Sequence, residues 1–134
     1  MTARAAAHLQ TGRWGEREAE RFLRGLRYRI LGRRVKVGAR DELDLVARDG
    51  DTLVFVEVKT RAREDFGRPI AAVDRRKRHI LSRAAVRYLK SLKRPPRYFR
   101  FDVVEVVGAR GEAAPRVRHI PDAFTLDPRY VVPY

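Results

Sequence analysis

Two short segments of this sequence carry residue types that support metal-assisted chemistry. The first is Glu-Leu-Asp at residues 42–44, and the second is Val-Glu-Val-Lys at residues 56–59. Carboxylate oxygens are the ligands that Mg²⁺ and Mn²⁺ prefer. In a chain of net charge +14, these carboxylates favour metal-assisted chemistry on a phosphodiester.

The distribution of charge along the chain agrees with this chemistry. The 134 residues carry a net charge of +14, yet residues 41–60 contain six carboxylates and only two basic side chains. Carboxylates between two basic regions would repel a polyanion unless a cation lies between them and a phosphate. The pattern therefore predicts a nucleic-acid partner, bound by release of its counterions, together with a divalent metal ion.

Composition excludes several other classes of protein. There is no cysteine, which excludes disulfides, zinc–thiolate sites and thiol nucleophiles. No segment approaches the roughly 18 apolar residues of a membrane span, so a soluble cytoplasmic protein without membrane contact is expected. The length predicts one domain over residues 1–134, with a core of about residues 12–120 and a proline-containing C-terminal tail.

The elements that must position these residues follow from hydrophobic periodicity and from capping and turn residues. The sequence predicts a helix from Thr11-Gly12 to about Leu26, strands over Tyr28 to Val37, Glu42 to Ala47 and Thr52 to Lys59, a polar loop from Arg61 to Pro69, a helix from Asp74 to Leu92, and strands over Tyr98 to Val107 and near Arg116 to Ile120. Thr11 and Asp74 are the predicted N-caps of the two helices. This order predicts an α/β fold with one mixed sheet flanked by helices.

A predicted hairpin brings the two chemical segments together. Asp-Gly at residues 49–50 is typical of a two-residue turn. This turn places Glu42 opposite Glu57 and makes Asp44 a diagonal neighbour of Glu57 on the same face, at roughly 7–8 Å between backbones. Lys59 lies one pleat further along that face. The sequence therefore predicts two or three carboxylates and one lysine at one end of the sheet.

The residues before this lysine favour a site over an exposed ion pair. Residues 53–56 are apolar at every position, which is typical of a strand that is covered on both faces. Charged side chains that enter such a strand must be paired or must coordinate an ion. A solvent-exposed pair of Glu57 and Lys59 is the alternative, because such pairs are common and weak.

Both helices contribute further candidates. Glu16 and Lys77 lie on the apolar stripes of their helices, so each is predicted to face the sheet, although long side chains also extend to solvent from the end of a buried stripe. Arg61, Arg75, Arg76 and Arg78 are predicted to contact phosphates, which positions a nucleic acid without specifying its sequence. Arg83 is predicted to lie on the solvated face of the second helix.

An ordered set of motifs identifies a family that this sequence resembles. The set comprises Gly-Glu at residues 15–16, Glu-Leu-Asp-Leu-Val at 42–46, Val-Phe-Val-Glu-Val-Lys-Thr-Arg at 54–61, Lys77 with Ile80, Ala84 and Tyr88, and Arg-Phe-Asp-Val-Val at 100–104. Over about residues 12–105 the chain resembles the YraN family. That family resembles the PD-(D/E)xK endonucleases, and within them the archaeal Holliday-junction resolvases.

The resemblance implies a function and assigns roles to individual residues. It implies a restriction-endonuclease-like core and a metal-dependent endonuclease that acts on DNA, with branched DNA as a candidate substrate. Asp44 and Glu57 become ligands of Mg²⁺ or Mn²⁺, Lys59 the catalytic lysine, and Glu16 the acidic residue of the first helix. Asp41 stands where the family usually has glycine, and it is expected only to cap the strand. A homodimer is expected by analogy with the resolvases.

Two other functions are compatible with the size and charge of the chain. One is a non-catalytic nucleic-acid-binding module that retains the carboxylates as a structural feature. The other is a ribosome-associated or RNA-structural protein. Nicking of DNA that depends on a divalent ion distinguishes the endonuclease from both.

Overall fold

One mixed sheet with a helix packed on each face organises the chain. The computed structural model describes residues 2–62 and 73–134. Within them the elements are α1 (Ala3–Gly25), β1 (Arg29–Val37), β2 (Asp41–Asp49), β3 (Thr52–Arg61), α2 (Arg75–Ser91), β4 (Tyr98–Val107) and β5 (Arg116–Phe124). The strands lie side by side in the order β1-β2-β3-β4-β5, and only β3 and β4 run parallel. The α/β class and the order of elements are as predicted. The predicted polar loop falls, from residue 63 onward, outside the described residues.

The central strand β3 is buried on both faces, as its apolar run predicted. Leu53 and Phe55 pack in the core that includes α2, whereas Val54 and Val56 pack in the core that includes α1. Successive side chains of a strand point to opposite faces, so an uninterrupted apolar run fills both cores at once. Polar side chains enter the strand at Glu57, which is still buried, while Val58 continues to pack against the core that includes α1.

The hairpin turn differs from the predicted one by one position. Asp49 pairs with Thr52, so Gly50 and Asp51 form the turn, and Gly50 adopts a φ of 58° that suits glycine. The predicted Asp49-Gly50 turn is therefore wrong. It would have paired Arg48 with Asp51, and the observed pairing moves one strand past the other by two residues. A shift of two residues leaves every side chain on its predicted face.

The first helix is longer than its capping residue indicated. It begins at Ala3, and Thr11 lies inside it, so the prediction of an N-cap at Thr11 is wrong. The preceding segment is rich in alanine, which has the highest helix propensity, and the helix extends through it. No helix within residues 2–62 and 73–134 combines the length and the apolar character needed to cross a membrane.

The second helix and the last strand complete the two cores. Asp74 caps α2 as predicted, because its side chain accepts a hydrogen bond of 2.8 Å from the Lys77 backbone N–H. β5 continues to Phe124 rather than ending near Ile120. Pro121 lies in this extension. β5 is an edge strand, and proline is tolerated there because one side of the strand makes no ladder hydrogen bonds.

A glycine sets the closest approach of α1 to the sheet. A Cβ built on Gly15 would lie 1.9 Å from the Oγ1 atom of Thr60 on β3 and 3.0 Å from its Cβ. No larger residue fits at this position without moving the helix or the strand. Because Gly15 precedes Glu16, the same contact fixes how far the Glu16 carboxylate lies from the end of β3.

We expect Gly15→Ala to destabilise the protein by about 1–3 kcal/mol, the usual range for overpacking a tight contact. Gly12→Ala is the matched control, because the same substitution three residues earlier meets nothing within 4 Å. There alanine should stabilise the helix by up to about 1 kcal/mol. Urea unfolding of the two variants checks the opposite signs, and equal effects would show that the Thr60 contact does not constrain the helix.

Candidate active site

The end of β3 presents a buried carboxylate between two lysines. Glu57 is only 6% exposed, and its Oε1 atom lies 3.4 Å from Lys77 Nζ and 3.8 Å from Lys59 Nζ. Both lysine side chains remain about one-third exposed, at 32% for Lys59 and 38% for Lys77. A surface cleft of about 390 Å³ is lined by both lysines. The two ammonium groups can therefore reach solvent or a ligand while they neutralise Glu57.

Asp44 meets this cluster from the neighbouring strand. The β2–β3 ladder runs to the pair Leu45 and Val56, and one further step places Asp44 opposite Glu57 rather than diagonal to it. The Asp44 carboxylate replaces the next ladder bond, because its Oδ2 atom accepts a hydrogen bond of 2.8 Å from the Val58 N–H. The backbone of β3 thus fixes the orientation of this carboxylate.

Asp44 and Glu57 are two neighbouring carboxylates whose negative charges repel each other, and a bound cation would offset that repulsion. The pKa of Asp44 is raised from its ordinary value of 3.8 to about 7, first by burial and then by the negative charge of Glu57. The hydrogen bond from Val58 opposes the shift, Glu16 adds to it, and the Lys77 ammonium opposes it weakly. Near neutral pH this carboxyl group is held at the boundary between its two protonation states.

Glu16 reaches the same region from α1, but an arginine holds it. Its Oε2 atom accepts a hydrogen bond of 3.0 Å from Nε of Arg34 on β1, and its Oε1 atom lies 2.9 Å from Nη2 of the same guanidinium. Glu16, Arg34 and Asp44 line one cleft of about 380 Å³ between α1 and the sheet. The acidic residue that the sequence placed on the sheet-facing stripe does lie there, and its partner is an arginine that the sequence analysis did not identify.

Two of the other predicted residues lie outside this cluster. Glu42 is exposed and stands opposite Lys36 of β1, so its carboxylate does not join Asp44 and Glu57. The Arg61 guanidinium lies 3.1 Å from the carboxylate of Glu105, which is only 2% exposed. Arg61 therefore neutralises a buried acid of the neighbouring strand at the end of β3.

The arginines of α2 divide into two groups. Arg75 and Arg76 are exposed, as expected of residues that contact phosphates. Arg78 is half-buried, and its guanidinium carbon lies 5.5 Å from the centroid of the Phe124 ring.

The predictions for Arg83 and Asp41 are wrong. Arg83 donates two hydrogen bonds of 2.7 and 2.8 Å to Asp41, which ties α2 to the start of β2 across 42 residues of sequence.

A further buried acid, Asp102, was not predicted from the sequence as part of a charged network. Asp102 of β4 is fully buried and accepts from Arg100 at 2.9 Å, and its other oxygen lies 2.7 Å from His119 Nε2. Arg100 also donates to the Tyr28 hydroxyl. Arg100 and Asp102 are two residues apart on a strand, and this same-face spacing was the available signal. Because these polar groups hydrogen-bond to one another, the network is structural, and it lies on the sheet face that α1 covers.

The donor atoms of the site fit a hard divalent cation. Asp44 and Glu57 supply oxygen ligands alone, which suits Mg²⁺ or Mn²⁺ rather than zinc. The described ranges contain no group of three His, Cys, Asp or Glu side chains that could hold a metal ion. Mg²⁺ characteristically binds to one or two carboxylates and completes its coordination with water and substrate phosphate, so two protein ligands are sufficient.

Comparison with known proteins identifies the family. Residues 15–106 match the family described as "Uncharacterised protein family UPF0102". A UPF0102 protein of Geotalea daltonii is 45% identical over 117 residues, which cover 86% of this chain and 89% of that protein. A UPF0102 protein of Syntrophus aciditrophicus is 40% identical over 128 residues, which cover 94% of this chain and 97% of that protein.

A third relative gives the same result. The UPF0102 protein of Syntrophomonas wolfei is 43% identical over 118 residues, covering 86% of this chain and 97% of that protein. These proteins have nearly the same length as the region they match, so the similarity includes both helices and the strands between them. The chain therefore belongs to the UPF0102 family, the YraN family that its motifs indicated.

Proposed function

We propose that this protein is a metal-dependent endonuclease that hydrolyses phosphodiester bonds in DNA. The observation that carries the proposal is the meeting of Asp44 and Glu57 at the end of β3, beside two lysines, in a chain of net charge +14. A buried pair of carboxylates would repel a nucleic acid unless a cation offset their charge, and the surrounding basic surface attracts a polyanion.

Each residue has a distinct task in this proposal. Asp44 and Glu57 would hold Mg²⁺ or Mn²⁺, which when bound polarises the phosphoryl oxygen and lowers the pKa of a water molecule. Lys59, whose side chain is partly exposed, orients or helps to deprotonate the attacking water and offsets the charge that accumulates on the phosphoryl oxygens. Lys77 pairs with the same oxygen of Glu57 as Lys59 does and so helps to hold that carboxylate in place.

The reaction is a hydrolysis that balances without any further reactant. Water adds to the phosphorus, the bond from phosphorus to one ester oxygen breaks, and that oxygen leaves as a hydroxyl group after it gains a proton. One DNA end keeps the phosphate and the other carries the hydroxyl. The protein supplies position and charge rather than a covalent intermediate.

A cleavage assay on a panel of linear, nicked and four-way branched DNAs tests the proposal. We expect nicking or cutting of at least one substrate with Mg²⁺ or Mn²⁺, and none when the ion is removed with a chelator. Binding to every member of the panel without cleavage of any, at high protein and metal concentrations, would instead favour the non-catalytic nucleic-acid-binding module.

The exposed arginines of α2 should contribute to affinity without specificity. We expect replacement of both Arg75 and Arg76 by alanine to weaken binding to all DNA sequences alike. It should also lower the slope of log affinity against log salt by roughly two, because each phosphate contact contributes about 0.9. Arg78 is left in place, since it is half-buried and its loss would also affect stability.

The control for this pair removes the same charge at the other end of α2. Lys93 and Arg94 are both exposed and follow the end of the helix. Fluorescence anisotropy over a range of salt concentrations compares the two double variants. If the two double variants have equal slopes of log affinity against log salt, the N-terminal end of α2 does not contact DNA phosphates more than the C-terminal end does.

A further inference from the structure

The backbone of β1 is irregular at the residue that holds Glu16. Arg34 has a φ of 46°, in the left-handed region that residues with a Cβ seldom occupy. The β1–β2 ladder pairs Arg33 with Leu45 and Val35 with Leu43, so its register places Arg34 across from Asp44. The strained residue therefore lies at the same step of the sheet as a proposed metal ligand.

This irregularity brings two neighbouring arginines to one helix. Adjacent residues of a regular strand point to opposite faces of a sheet. Here Arg33 binds Glu20 and Arg34 binds Glu16, and both glutamates belong to α1. The left-handed backbone at Arg34 interrupts the alternation at this point. Strained backbone of this kind is concentrated at functional sites, where the surrounding structure fixes it.

The geometry of the Glu16–Arg34 pair is the geometry of phosphate recognition. Nε of Arg34 donates a hydrogen bond of 3.0 Å to one oxygen of the Glu16 carboxylate, and Nη2 lies 2.9 Å from the other oxygen in an ion pair. The same planar fork of two N–H donors binds two oxygens of a phosphate. Arg34 lines the cleft that contains Asp44, and a third of its side chain (33%) is exposed to that cleft and solvent.

We propose that Arg34 is a phosphate-binding residue of this site, and that the Glu16 carboxylate occupies its fork until a DNA phosphate replaces it. The exchange would free Glu16 to act beside Asp44. There it would be a further ligand of the divalent ion, or it would accept a hydrogen bond from a water molecule bound to that ion. This role belongs to the proposed nuclease function and deepens it, because it makes DNA binding and metal binding mutually supportive. It also accounts for a site that has only two converging carboxylates in the absence of DNA.

The chain supplies a matched control for each partner. Arg33 and Glu20 form a comparable pair, with two hydrogen bonds, one turn further along α1. Arg33 Nη2 lies 2.8 Å from Glu20 Oε2, but Arg33 is 59% exposed and is not opposite Asp44. Removing Arg33 changes the net charge as much as removing Arg34 does. A difference in DNA or Mn²⁺ affinity between the two variants therefore results from where the arginine lies and not from the loss of one positive charge.

Two binding measurements, neither of which needs cleavage, test the exchange. With a chelator present, Arg34→Ala should lower affinity for a duplex oligonucleotide about tenfold more than Arg33→Ala does, the effect of losing a fork contact. In the absence of DNA, Arg34→Ala should raise Mn²⁺ affinity by about fivefold relative to Arg33→Ala, because Glu16 is released. Arg34→Lys retains the charge but not the fork, so it should restore less than half of the lost DNA affinity on a logarithmic scale.

Anisotropy and isothermal titration calorimetry give the two affinities, and circular dichroism checks that each variant is folded. Equal DNA affinities for Arg34→Ala and Arg33→Ala, or equal Mn²⁺ affinities, would overturn the role of Arg34 even if the wild type cleaves DNA. A wild type that cleaves nothing would overturn the nuclease proposal, while the difference between the two variants would still show that Arg34 binds phosphate.

Discussion

Replacing Lys59 with alanine should abolish most of the DNA cleavage while metal binding and DNA binding persist. We expect a fall of roughly two to four orders of magnitude in the rate, the usual range for a positioned group that acts on a proton in the transition state. Lys59→Arg should not restore the rate, because a guanidinium is larger and retains its proton at working pH. Single-turnover cleavage at saturating DNA and Mg²⁺ measures the change.

Lys90 provides the control for this experiment. It is exposed in the last turn of α2, so Lys90→Ala removes the same charge away from the clefts and should leave cleavage near the wild-type rate. If Lys59 were only the ion-pair partner of Glu57, its removal would change stability by less than about 1 kcal/mol and would leave cleavage intact. If the wild type cleaves no DNA and Lys59→Ala lowers DNA affinity, Lys59 is instead a phosphate contact of a binding module.

Replacing Asp44 with asparagine should stabilise the metal-free protein at neutral and higher pH. The pKa of Asp44 is raised from its ordinary value of 3.8 to about 7 in the folded state. Between these values the folded state binds more protons than the unfolded state, so wild-type stability falls as pH rises from about 4 to about 7. A pKa shift of this size corresponds to at most about 4 kcal/mol of unfolding free energy. The variant also loses the hydrogen bond from the Val58 N–H to a charged carboxylate, which reduces the expected gain to about 2 kcal/mol.

Divalent ions should reverse this effect in the wild type alone. Mg²⁺ at a hundred times its dissociation constant should stabilise the wild type by about 2.7 kcal/mol and flatten the dependence on pH. Asp44→Asn and Glu57→Gln should gain nothing from the ion. Both variants should bind DNA as well as the wild type or better, because each removes a charge that repels phosphate.

Glu42→Gln is the control, since it removes an exposed carboxylate two residues from Asp44 on the same strand. Chemical unfolding at pH 4, 6 and 8, with and without Mg²⁺, separates the variants. If Asp44→Asn and Glu42→Gln responded alike to pH and to Mg²⁺, Asp44 would not be a ligand of the ion.

Much of the fold was predictable because its signals are local. The apolar run over residues 53–56 predicted a strand buried on both faces, and Asp74 predicted the start of α2. Both signals depend on neighbouring residues and on the geometry of a single element. The start of α1 was less predictable, because alanine-rich sequence extends a helix beyond a capping residue without marking its own boundary.

The sequence by itself determined that Asp44, Glu57 and Lys59 lie on one face of the sheet, since strand periodicity survives an error of two residues in the register. The same error wrongly placed Glu42 opposite Glu57. The tertiary structure alone decided how those residues are held. The Arg34–Glu16 and Arg83–Asp41 pairs join positions 18 and 42 residues apart, and no local pattern specifies such pairings. Arg34 has a further physical reason to be unpredictable: a left-handed residue within a strand breaks the alternation from which the direction of a strand side chain is predicted.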